Sequence, residues 1–556
     1  MNQKSARSPE DKIFRQETLS YEKIPNQSRL FTDFQVDSKK AAVFYPEKNT
    51  PLVNFAGQVL ADYKIDRAAL CENLRETNEF CKAGPKTFEN IERLREKDCL
   101  TIVTGQQAGL FSGAIYTIYK ALSAARLAED LRKQSIKAVP VFWIAEEDHD
   151  FNEVGKTFNL DKTGKLLKSE NTPQSYRKNL PVGLVKLDET INQTIEDLFN
   201  NLPRTEYTDE IKTLILKTYR AGETYSTAFA KLIAEVFSDY GLIILTPLNK
   251  KLKKLCAPIF ADAIEKSKEI SSALLLRNKE LTEKNYQPQV LVEKDFFPFF
   301  LQNEIGERKP LRRDAENGKI KIQKSKKEFE MSELLEIARD APENLSPNAL
   351  MRPVVQDYLL PTLVYFGGAA EIAYFAQNSV IYKILNRPVT PIRHRANFTV
   401  IERRHARTFE KYEMDFTDLF AGREKISARI VEKYLNRNTA RIFAEVEENI
   451  NLQLDCLNRE LIENEPPLAA NLATRRRKIL WHIGALRKKY HLAEIEKNEI
   501  ARRRIENSFT ALLPGNALQE RTLSVVTFLN LCGGNFIEWI YEAIETDEVN
   551  HRILYL

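Results

Sequence analysis

One continuous stretch of the chain, residues 99–145, constrains the fold more than any other. A β-branched run at 99–103 ends in a loop with two glycines at 104–109, and an alanine- and leucine-rich helical pattern follows at 114–133. The next segment, 138–145, is apolar at every position, as is typical of a parallel strand buried on both faces. A strand, a crossover helix and a second strand of these lengths form a right-handed βαβ unit. The sequence therefore predicts an α/β fold built on a parallel sheet.

Further strand-like segments extend this unit into a larger domain. The additional strands are predicted at 241–246, 289–294 and 297–302. The lysine-rich residues 303–335 contain few large apolar side chains, which predicts a surface hairpin and loop. We therefore interpret residues 1–415 as one α/β core with insertions at about 155–235 and 270–345.

The character of the chain changes after about residue 416. Apolar residues recur there at spacings of three and four, as in a coiled coil, and a pair of prolines at 466–467 separates two helical arms. The predicted seam positions are Phe443, Val446, Ile450, Leu454, Leu457 and Leu461 in the first arm and Ile479, Ile483, Leu486, Tyr490, Ala493 and Ile500 in the second. We expect a long antiparallel helical hairpin over 416–510, after which 511–556 returns to the core.

The apolar seam of this hairpin needs a partner that covers part of its length. Either a second chain or the body of the protein could do so, and we favour a homodimer formed through the coiled coil. Because charged residues fill most of the other positions of both arms, the hairpin is otherwise typical of a helix pair exposed to water.

Composition excludes several classes of function. The 556 residues carry 83 basic and 78 acidic side chains, a net charge of +5 that does not indicate a nucleic-acid partner. No apolar run is long enough for a membrane span and the first residues lack a signal core, so we expect a cytoplasmic protein that does not enter a membrane. The six cysteines show no Cys-x-x-Cys spacing, which predicts reduced thiols and no zinc site.

The loop after the first strand of the βαβ unit is the first candidate for chemistry. In an open parallel sheet, ligands bind outside the carboxyl ends of the strands. Glycines let backbone N–H groups approach an anion, and the N-terminus of the following helix favours negative charge. The alternative is a plain tight turn. The candidate binding residues of this loop are Thr104, Gly105, Gln106, Gln107 and Gly109.

A second candidate is the charged loop directly after the apolar strand. Its residues are Glu146, Glu147, Asp148, His149 and Asp150. This many ionisable groups at the end of a buried strand cannot all be desolvated cheaply, so they must face water, cations or a polar ligand. They could bind an ammonium group, accept its proton or hold a divalent metal, and the alternative is a solvated charge run.

A third candidate region lies at 348–377. Arg352 could bind a carboxylate through two parallel hydrogen bonds. Glu371, Tyr374 and Gln377 fall at about one face of a helix inside an otherwise apolar segment. Such a polar face is either an internal hydrogen-bonded network or the wall of a pocket.

Several long motifs follow one another along the chain. They are Thr104-Gly105-Gln106-Gln107-Ala108-Gly109 with Tyr116-Thr117-Ile118-Tyr119-Lys120, Phe142-Trp143-Ile144 leading into Glu147-Asp148-His149-Asp150-Phe151, Arg352-Pro353-Val354-Val355-Gln356-Asp357, and Glu371-Ile372-Ala373-Tyr374-Phe375-Ala376-Gln377. In this order they resemble the BshC family, the cysteine-adding ligases of bacillithiol synthesis. The resemblance spans essentially the whole chain. One departure is Gly-Ala-Ala-Glu at 368–371, where the family has Gly-Pro-Gly-Glu or Gly-Pro-Ala-Glu.

The resemblance implies both an architecture and a reaction. The architecture is a Rossmann-like core related to class I synthetases and nucleotidylyl transferases, with connecting insertions and a dimerising coiled coil. The reaction joins the carboxyl group of cysteine to the amine of glucosaminyl-malate and gives bacillithiol. ATP or another nucleotide could activate the carboxyl group, and an acyl-adenylate and an acyl-phosphate route both stay open.

The residues combine with this resemblance into one hypothesis about the site. Asp148, His149 and Asp150 would manage the amine and its proton, and residues 104–107 would bind the anionic end of a substrate or nucleotide. The remaining predicted substrate-binding residues are Glu147, Arg352, Gln356, Asp357, Glu371, Tyr374 and Gln377. A nucleotidylyl transferase acting on another small acceptor stays open, as does a non-catalytic coiled-coil scaffold.

Overall fold

The computed structural model describes residues 13–314, 318–325 and 327–556. Its strands, in chain order, are β1 (Arg15–Leu19), β2 (Leu100–Gln106), β3 (Ala138–Ile144), β4 (Lys156–Leu160), β5 (Leu166–Glu170), β6 (Ile243–Leu245), β7 (Phe296–Gln302), β8 (Arg308–Arg313), β9 (Ile320–Ile322), β10 (Glu328–Phe329), β11 (Leu345–Pro347), β12 (Thr362–Gly367), β13 (Ile392–His394), β14 (Phe398–Ile401) and β15 (His551–Tyr555).

The α-helices connect and cover these strands. In chain order they are α1 (Arg29–Gln35), α2 (Lys39–Ala42), α3 (Leu52–Asp62), α4 (Arg67–Phe80), α5 (Pro85–Leu94), α6 (Tyr116–Lys133), α7 (Phe151–Val154), α8 (Thr190–Asn201), α9 (Thr208–Thr218), α10 (Tyr225–Val236), α11 (Lys250–Glu265), α12 (Ser267–Glu283), α13 (Met331–Asp340), α14 (Arg352–Leu359), α15 (Ala369–Ile384), α16 (Arg403–Lys411), α17 (Arg423–Ile430), α18 (Arg437–Asn464), α19 (Pro466–Lys497), α20 (Glu499–Leu512), α21 (Val525–Cys532) and α22 (Asn535–Ala543).

The central sheet has the strand order β13-β12-β2-β3-β6, and every neighbouring pair in it is parallel. Strand β3 is buried at every position, and β2 is buried except at its last residue. Both strands and the crossover helix α6 confirm the predicted βαβ unit. The chain proceeds outward from β2 to β6 and then returns to place β12 on the other side of β2. This reversal creates a crevice at the carboxyl ends of β2 and β12, where ligands bind in open α/β sheets.

The chain between β6 and β12 forms a second sheet. Its order is β10-β9-β8-β7-β11, with antiparallel pairing throughout. The strand predicted at 297–302 is confirmed as β7, whereas the strand predicted at 289–294 is wrong. The backbone of Val290 pairs instead with the side chain of Gln377, whose Oε1 accepts from Val290 N at 2.9 Å and whose Nε2 donates to Val290 O at 2.9 Å. The side-chain amide of Gln377 therefore forms the hydrogen bonds with the backbone of Val290 that a neighbouring strand would otherwise form.

The predicted helical hairpin is confirmed by α18 and α19. Pro466 is the first residue of α19, a position where its missing N–H costs nothing. The predicted seam residues Phe443 and Tyr490 lie with their ring centroids 5.7 Å apart. No side chain of α18 is fully buried, and Leu457 and Trp481 are 46% and 67% exposed. Among the described residues, no helix is both long enough and apolar enough to span a membrane.

The chain returns to the α/β body after α20. Gln519 and Glu520 are buried, and α21 packs in the core. Strand β15 then pairs with β1 in antiparallel fashion and with β14 in parallel fashion, so residues from opposite ends of the described chain share one sheet. The C-terminal segment is therefore part of the same body that carries the central sheet.

Candidate active site

A cavity of about 580 Å³ lies at the carboxyl ends of β2, β3 and β12. Aromatic and basic residues of β7 and β8 form its opposite wall, so the second sheet encloses the edge of the first. Of the residues predicted for the site, those lining the cavity are Gly105, Gln106, Gln107, Glu147, Asp148, His149, Arg352, Glu371 and Tyr374. The structure thus brings together residues from all three candidate regions.

Asp148 joins the two predicted loops. Its Oδ2 accepts a hydrogen bond from Gln107 Nε2 at 2.6 Å, and its Oδ1 accepts from the backbone N–H of His149 at 2.7 Å. These two hydrogen bonds fix the orientation of the carboxylate. Asp148 can therefore present a fixed negative charge to a ligand in the cavity.

His149 is held as a neutral imidazole beside this carboxylate. Burial, and then the positive charge of Arg308, lower the pKa of His149 below its ordinary value of 6.5. Its buried Nδ1 has no hydrogen-bond partner, and Asp148 Oδ1 lies 4.0 Å from it. The ring packs against Phe300 with 6.0 Å between centroids. A neutral imidazole with a vacant nitrogen can accept a proton.

The first two carboxylates of the charged loop, Glu146 and Glu147, bind other groups of the protein. Glu147 pairs with Lys253, and both side chains are buried. Glu146 lies outside the cavity and accepts from Ser226 Oγ at 2.5 Å and from Leu248 N at 2.9 Å. Its burial raises its pKa to about 7. Among the described residues, no group of three or more His, Cys, Asp or Glu side chains is arranged to hold a metal ion.

A buried ion pair between Lys120 and Glu371 crosses the crevice between β2 and β12. Lys120 Nζ also donates to Gly105 O at 2.9 Å and to Gln106 Oε1 at 3.0 Å. Burial lowers the pKa of Lys120, although Glu371 opposes this effect. Burial acts to raise the pKa of Glu371, but the charge and hydrogen bond of Lys120 outweigh it and the pKa falls. The pair therefore places a positive and a negative charge where β2 and β12 end.

Arg352 and two tyrosines extend this polar wall. Arg352 Nη2 donates to Tyr374 Oη at 2.7 Å, and its Nη1 donates to Gln356 Oε1 at 3.0 Å. Tyr365 Oη donates to Glu371 Oε1 at 2.5 Å. Arg352 is thus oriented by its neighbours before any ligand arrives, which lowers the entropic cost of binding an anion.

The departure at 368–371 leaves the start of α15 intact. Ala369 is the first residue of the helix, where a proline is also well tolerated. The backbone N–H of Gly368 donates to Glu371 Oε2 at 2.8 Å. The residue type at 369 is therefore not needed to place the Glu371 carboxylate.

The other predicted residues lie outside this cavity, and three of them form hydrogen bonds behind its wall. Gln356 donates to Asp357 Oδ1 at 3.0 Å, and Asp357 also accepts from Tyr382. Burial raises the pKa of Asp357. Gln377 holds Val290, a cavity residue, through the hydrogen bonds described above. These side chains support the site from behind and do not contact its interior.

Three predicted residues of the two first loops are also absent from the cavity wall. Thr104 is buried and donates from Oγ1 to Phe366 O at 2.8 Å, which fastens β2 to β12. Gly109 and Asp150 line a neighbouring cavity of about 460 Å³. Asp150 thus lines a different cavity from Asp148 and His149, although all three were predicted to act on the same amine and its backbone N–H donates to Asp148 Oδ1 at 3.3 Å.

Sequence reasoning gave no role to five basic residues that line the main cavity, which are Lys120, Arg308, Arg312, Arg395 and Arg521. Lys120 belongs to the motif at 116–120 and lies four residues after Tyr116, so the two side chains share one face of the helix. Arg308 lies in the segment that was predicted to be a surface hairpin, but it lies 3.8 Å from the centre of the Phe300 ring. Arg312, Arg395 and Arg521 carried no local signal, because long-range packing brings them to the site.

Comparisons with known proteins cover almost the full chain. The family described as "Bacillithiol biosynthesis BshC, N-terminal Rossmann-like domain" matches residues 15–396, and the one described as "Bacillithiol biosynthesis BshC, C-terminal coiled-coil domain" matches residues 398–556. These matches and the arrangement of the central sheet agree with the Rossmann-like core and coiled coil that the sequence predicted.

Three relatives that match nearly the whole chain carry the same name. The "Putative cysteine ligase BshC" of Solibacter usitatus is 34% identical over 540 residues, covering 96% of this chain and 98% of its own length. The protein of the same name from Koribacter versatilis is 32% identical over 544 residues, with the same 96% and 98% coverage. That of Bacillus cytotoxicus is 28% identical over 499 residues, covering 89% and 92%. The chain therefore belongs to the BshC family of bacillithiol biosynthesis.

Proposed function

We propose that this protein is a ligase that forms an amide bond between the carboxyl group of cysteine and the amine of glucosaminyl-malate, giving bacillithiol. Membership of the BshC family and the name of the relatives support the reaction class. The observation that carries the proposal is the main cavity, which contains both proton-accepting and cationic side chains. An amine that must lose a proton and an anion that must be held need these two kinds of group.

The proton-accepting corner consists of Asp148 and His149. The amine of the acceptor arrives as an ammonium ion, which cannot attack a carbonyl carbon until it loses a proton. The Asp148 carboxylate, oriented by Gln107, attracts the ammonium group, and the neutral His149 accepts the proton. The lowered pKa of His149 keeps the imidazole ready for this step at neutral pH.

Two guanidinium groups supply the cationic side chains of the cavity, Arg308 beside His149 and Arg352 beside Tyr374. Two carboxylates of the malate group need positively charged donors, and guanidinium groups bind carboxylates through paired hydrogen bonds. Arg308 is held in place by bonds to Ser346 Oγ at 2.8 Å and to Pro347 O at 2.7 Å. The cavity volume of about 580 Å³ falls within the range of roughly 300–1,000 Å³ usual for small-molecule sites.

The reaction also needs a source of free energy. Joining a carboxylate to an ammonium ion releases water and is unfavourable in water, so we propose that a nucleoside triphosphate is a co-substrate. Its cleavage would activate the cysteine carboxyl group either as an adenylate, with release of pyrophosphate and then AMP, or as an acyl phosphate, with release of ADP. The amine would then displace the activating group and form the C–N bond.

Mass spectrometry of the purified protein incubated with glucosaminyl-malate, cysteine and ATP tests the proposal. Bacillithiol together with AMP supports the adenylate route, and bacillithiol together with ADP supports the acyl phosphate. Pyrophosphate release that does not depend on cysteine would favour a nucleotidylyl transferase instead. Absence of both product and small-molecule binding would favour the scaffold.

Variants then test the proton-accepting corner. Asp148→Asn and His149→Ala should each lower product formation by about 100-fold or more, because each removes a group that acts on the amine. Lys162→Gln is the matched control, since Lys162 is exposed in the turn between β4 and β5 and lines neither cavity. Undiminished turnover in both site variants would remove Asp148 and His149 from the mechanism.

We also propose that two copies associate through the hairpin in the cytoplasm. Apolar residues such as Leu457 and Trp481 are exposed on its arms and would be covered by a second chain. The six cysteines are unpaired, which suits a reducing compartment and a thiol product. Light scattering should give twice the chain mass of 64.2 kDa, and Leu457→Ser combined with Trp481→Ser should reduce it towards one chain.

A further inference from the structure

A second cavity adjoins the main one on the side of the β2–α6 loop. It has a volume of about 460 Å³. The residues that line both cavities are Gln106, Gln107, Tyr116, Glu153 and Arg521. Gln106 Nε2 donates to Tyr116 Oη at 3.1 Å, so this hydrogen-bonded pair lies at the boundary that the two cavities share. A small ligand in the second cavity would therefore lie beside a ligand in the main one.

The second cavity contains charges of both signs. Asp150 and Glu153 supply carboxylates, and Lys156 and Arg521 supply cations. Within the described part of the chain, the side chains of Asp150, Lys156 and Arg521 form no hydrogen bond or ion pair of their own. Charged groups that the fold leaves unengaged at one cavity are available to a ligand that carries both a positive and a negative group.

A buried hydroxyl adds a further unused polar atom. Thr157 is only 2% exposed and lines the second cavity. Its Oγ1 is buried and has no hydrogen-bond partner among the described residues. A buried polar atom without a partner costs free energy, which a polar ligand or a water bound beside it would recover.

We infer that the second cavity is the subsite for the α-amino acid, with Asp150 binding its ammonium group and Arg521 binding its carboxylate. Arg521 lines both cavities, so the carboxylate of the amino acid would lie at the shared wall, next to the amine held in the main cavity. This assignment rests on the proposed function, because it takes cysteine to be one of the two molecules joined. It also gives Asp150 a binding role that is distinct from proton transfer at Asp148 and His149.

Equilibrium binding, measured separately from turnover, tests the assignment. The probes are cysteine, cysteamine, which lacks the carboxylate, and 3-mercaptopropionate, which lacks the ammonium group. Isothermal titration calorimetry of the full chain, with and without glucosaminyl-malate, should show cysteine binding at least tenfold tighter than either analogue. The thiol is common to all three probes, so the difference isolates the two charged groups.

Two variants assign the charges. Asp150→Asn should weaken cysteine binding at least tenfold and leave 3-mercaptopropionate unchanged, because that probe has no ammonium group to lose. Arg521→Gln should weaken cysteine at least tenfold and leave cysteamine unchanged. Lys162→Gln, which lies outside both cavities, should change none of the three.

The outcomes separate this inference from the proposed function. The expected binding pattern without bacillithiol formation would leave the amino-acid subsite standing and reject the ligase reaction. Bacillithiol formation with cysteine affinity unchanged in both variants would overturn the subsite and keep the ligase. No binding of cysteine to the unsubstituted protein, with or without glucosaminyl-malate, would also overturn the subsite.

Discussion

Two buried ion pairs of this protein have similar chemistry and face different surroundings. Lys120–Glu371 lines the main cavity with both partners. Arg395–Glu520 is also buried, and its two hydrogen bonds of 2.9 and 2.7 Å are bidentate, but only Arg395 lines the cavity. Glu520 faces the protein and accepts a further bond from Phe398 N at 3.2 Å.

The comparison teaches that burial of a charge does not by itself identify a functional residue. Removal of one partner of a buried pair is costly wherever the pair lies, because the other charge stays desolvated. What distinguishes Lys120–Glu371 is that both of its residues line the cavity. The Arg395–Glu520 pair instead fastens the C-terminal segment to the core and holds Arg395 5.2 Å above the ring of Tyr116.

The largest effect on stability is expected from Glu520→Gln. This change leaves the Arg395 guanidinium buried without its counter-charge, and the free energy of unfolding should fall by about 3–5 kcal/mol. Glu79→Gln is the matched control, since Glu79 forms a surface pair with Arg75 at 3.6 Å and is 57% exposed; it should cost less than about 1 kcal/mol. Guanidinium denaturation of both variants measures the difference. Equal losses of unfolding free energy in the two variants would show that the Arg395–Glu520 pair does not stabilise the fold more than a surface pair does.

The next effect separates activity from stability at the cavity pair. Lys120→Met keeps the length of the side chain and removes its charge, while Glu371 retains the hydrogen bonds from Tyr365 and Gly368. Product formation should fall by about 100-fold, with a smaller loss of stability than in Glu520→Gln. Lys137→Met, at a lysine 50% exposed and paired with Glu96, serves as the control. Unchanged turnover in Lys120→Met would show that the Lys120–Glu371 pair, like Arg395–Glu520, has only a structural role.

The smallest expected effect is a change in pH dependence. His149 must be neutral to accept a proton, and its pKa is lowered by burial and by Arg308, so turnover should fall only below pH 6.5, its ordinary value. Arg308→Met removes a positive charge, which raises the pKa of His149. The fall in turnover on the acidic side of the pH profile (the acid limb) should therefore move to higher pH. Arg308→Lys keeps the charge and should leave the limb in place. A limb that stays fixed in Arg308→Met would exclude His149 as the titrating base.

The sequence predicted cavity residues that directly follow a strand better than cavity residues that tertiary packing brings from distant segments. Asp148 and His149 were identified because β3 is apolar throughout and because the carboxyl ends of parallel strands meet at one edge. Arg308 was missed because its position depends on how the second sheet folds over the first. Arg395 and Glu520 are 125 positions apart, and no local pattern relates them.

Even within a correctly identified loop, the direction of each side chain was beyond the sequence. Asp148 and Asp150 are two residues apart, but the turn between β3 and α7 directs them to different cavities. Glu146, in the same loop, is enclosed by Ser226 and Leu248. Composition marks such a loop as polar, whereas backbone dihedral angles and tertiary packing decide which of its charges a ligand can meet.

The pairing of β1 with β15 has a consequence for the synthesis of this protein. Residues 15–19 pair with 551–555, so at roughly 5–20 residues added per second the first strand waits on the order of a minute for its partner. Arg395 waits for a shorter time, because Glu520 follows it by 125 residues, which takes roughly 6–25 s at that rate. A ribosome that stalls within the hairpin would therefore carry a nascent chain with most of its cavity wall translated and a guanidinium group that has no counter-charge. The β1–β15 pairing and the Arg395–Glu520 ion pair thus both depend on the last segment that the structure describes.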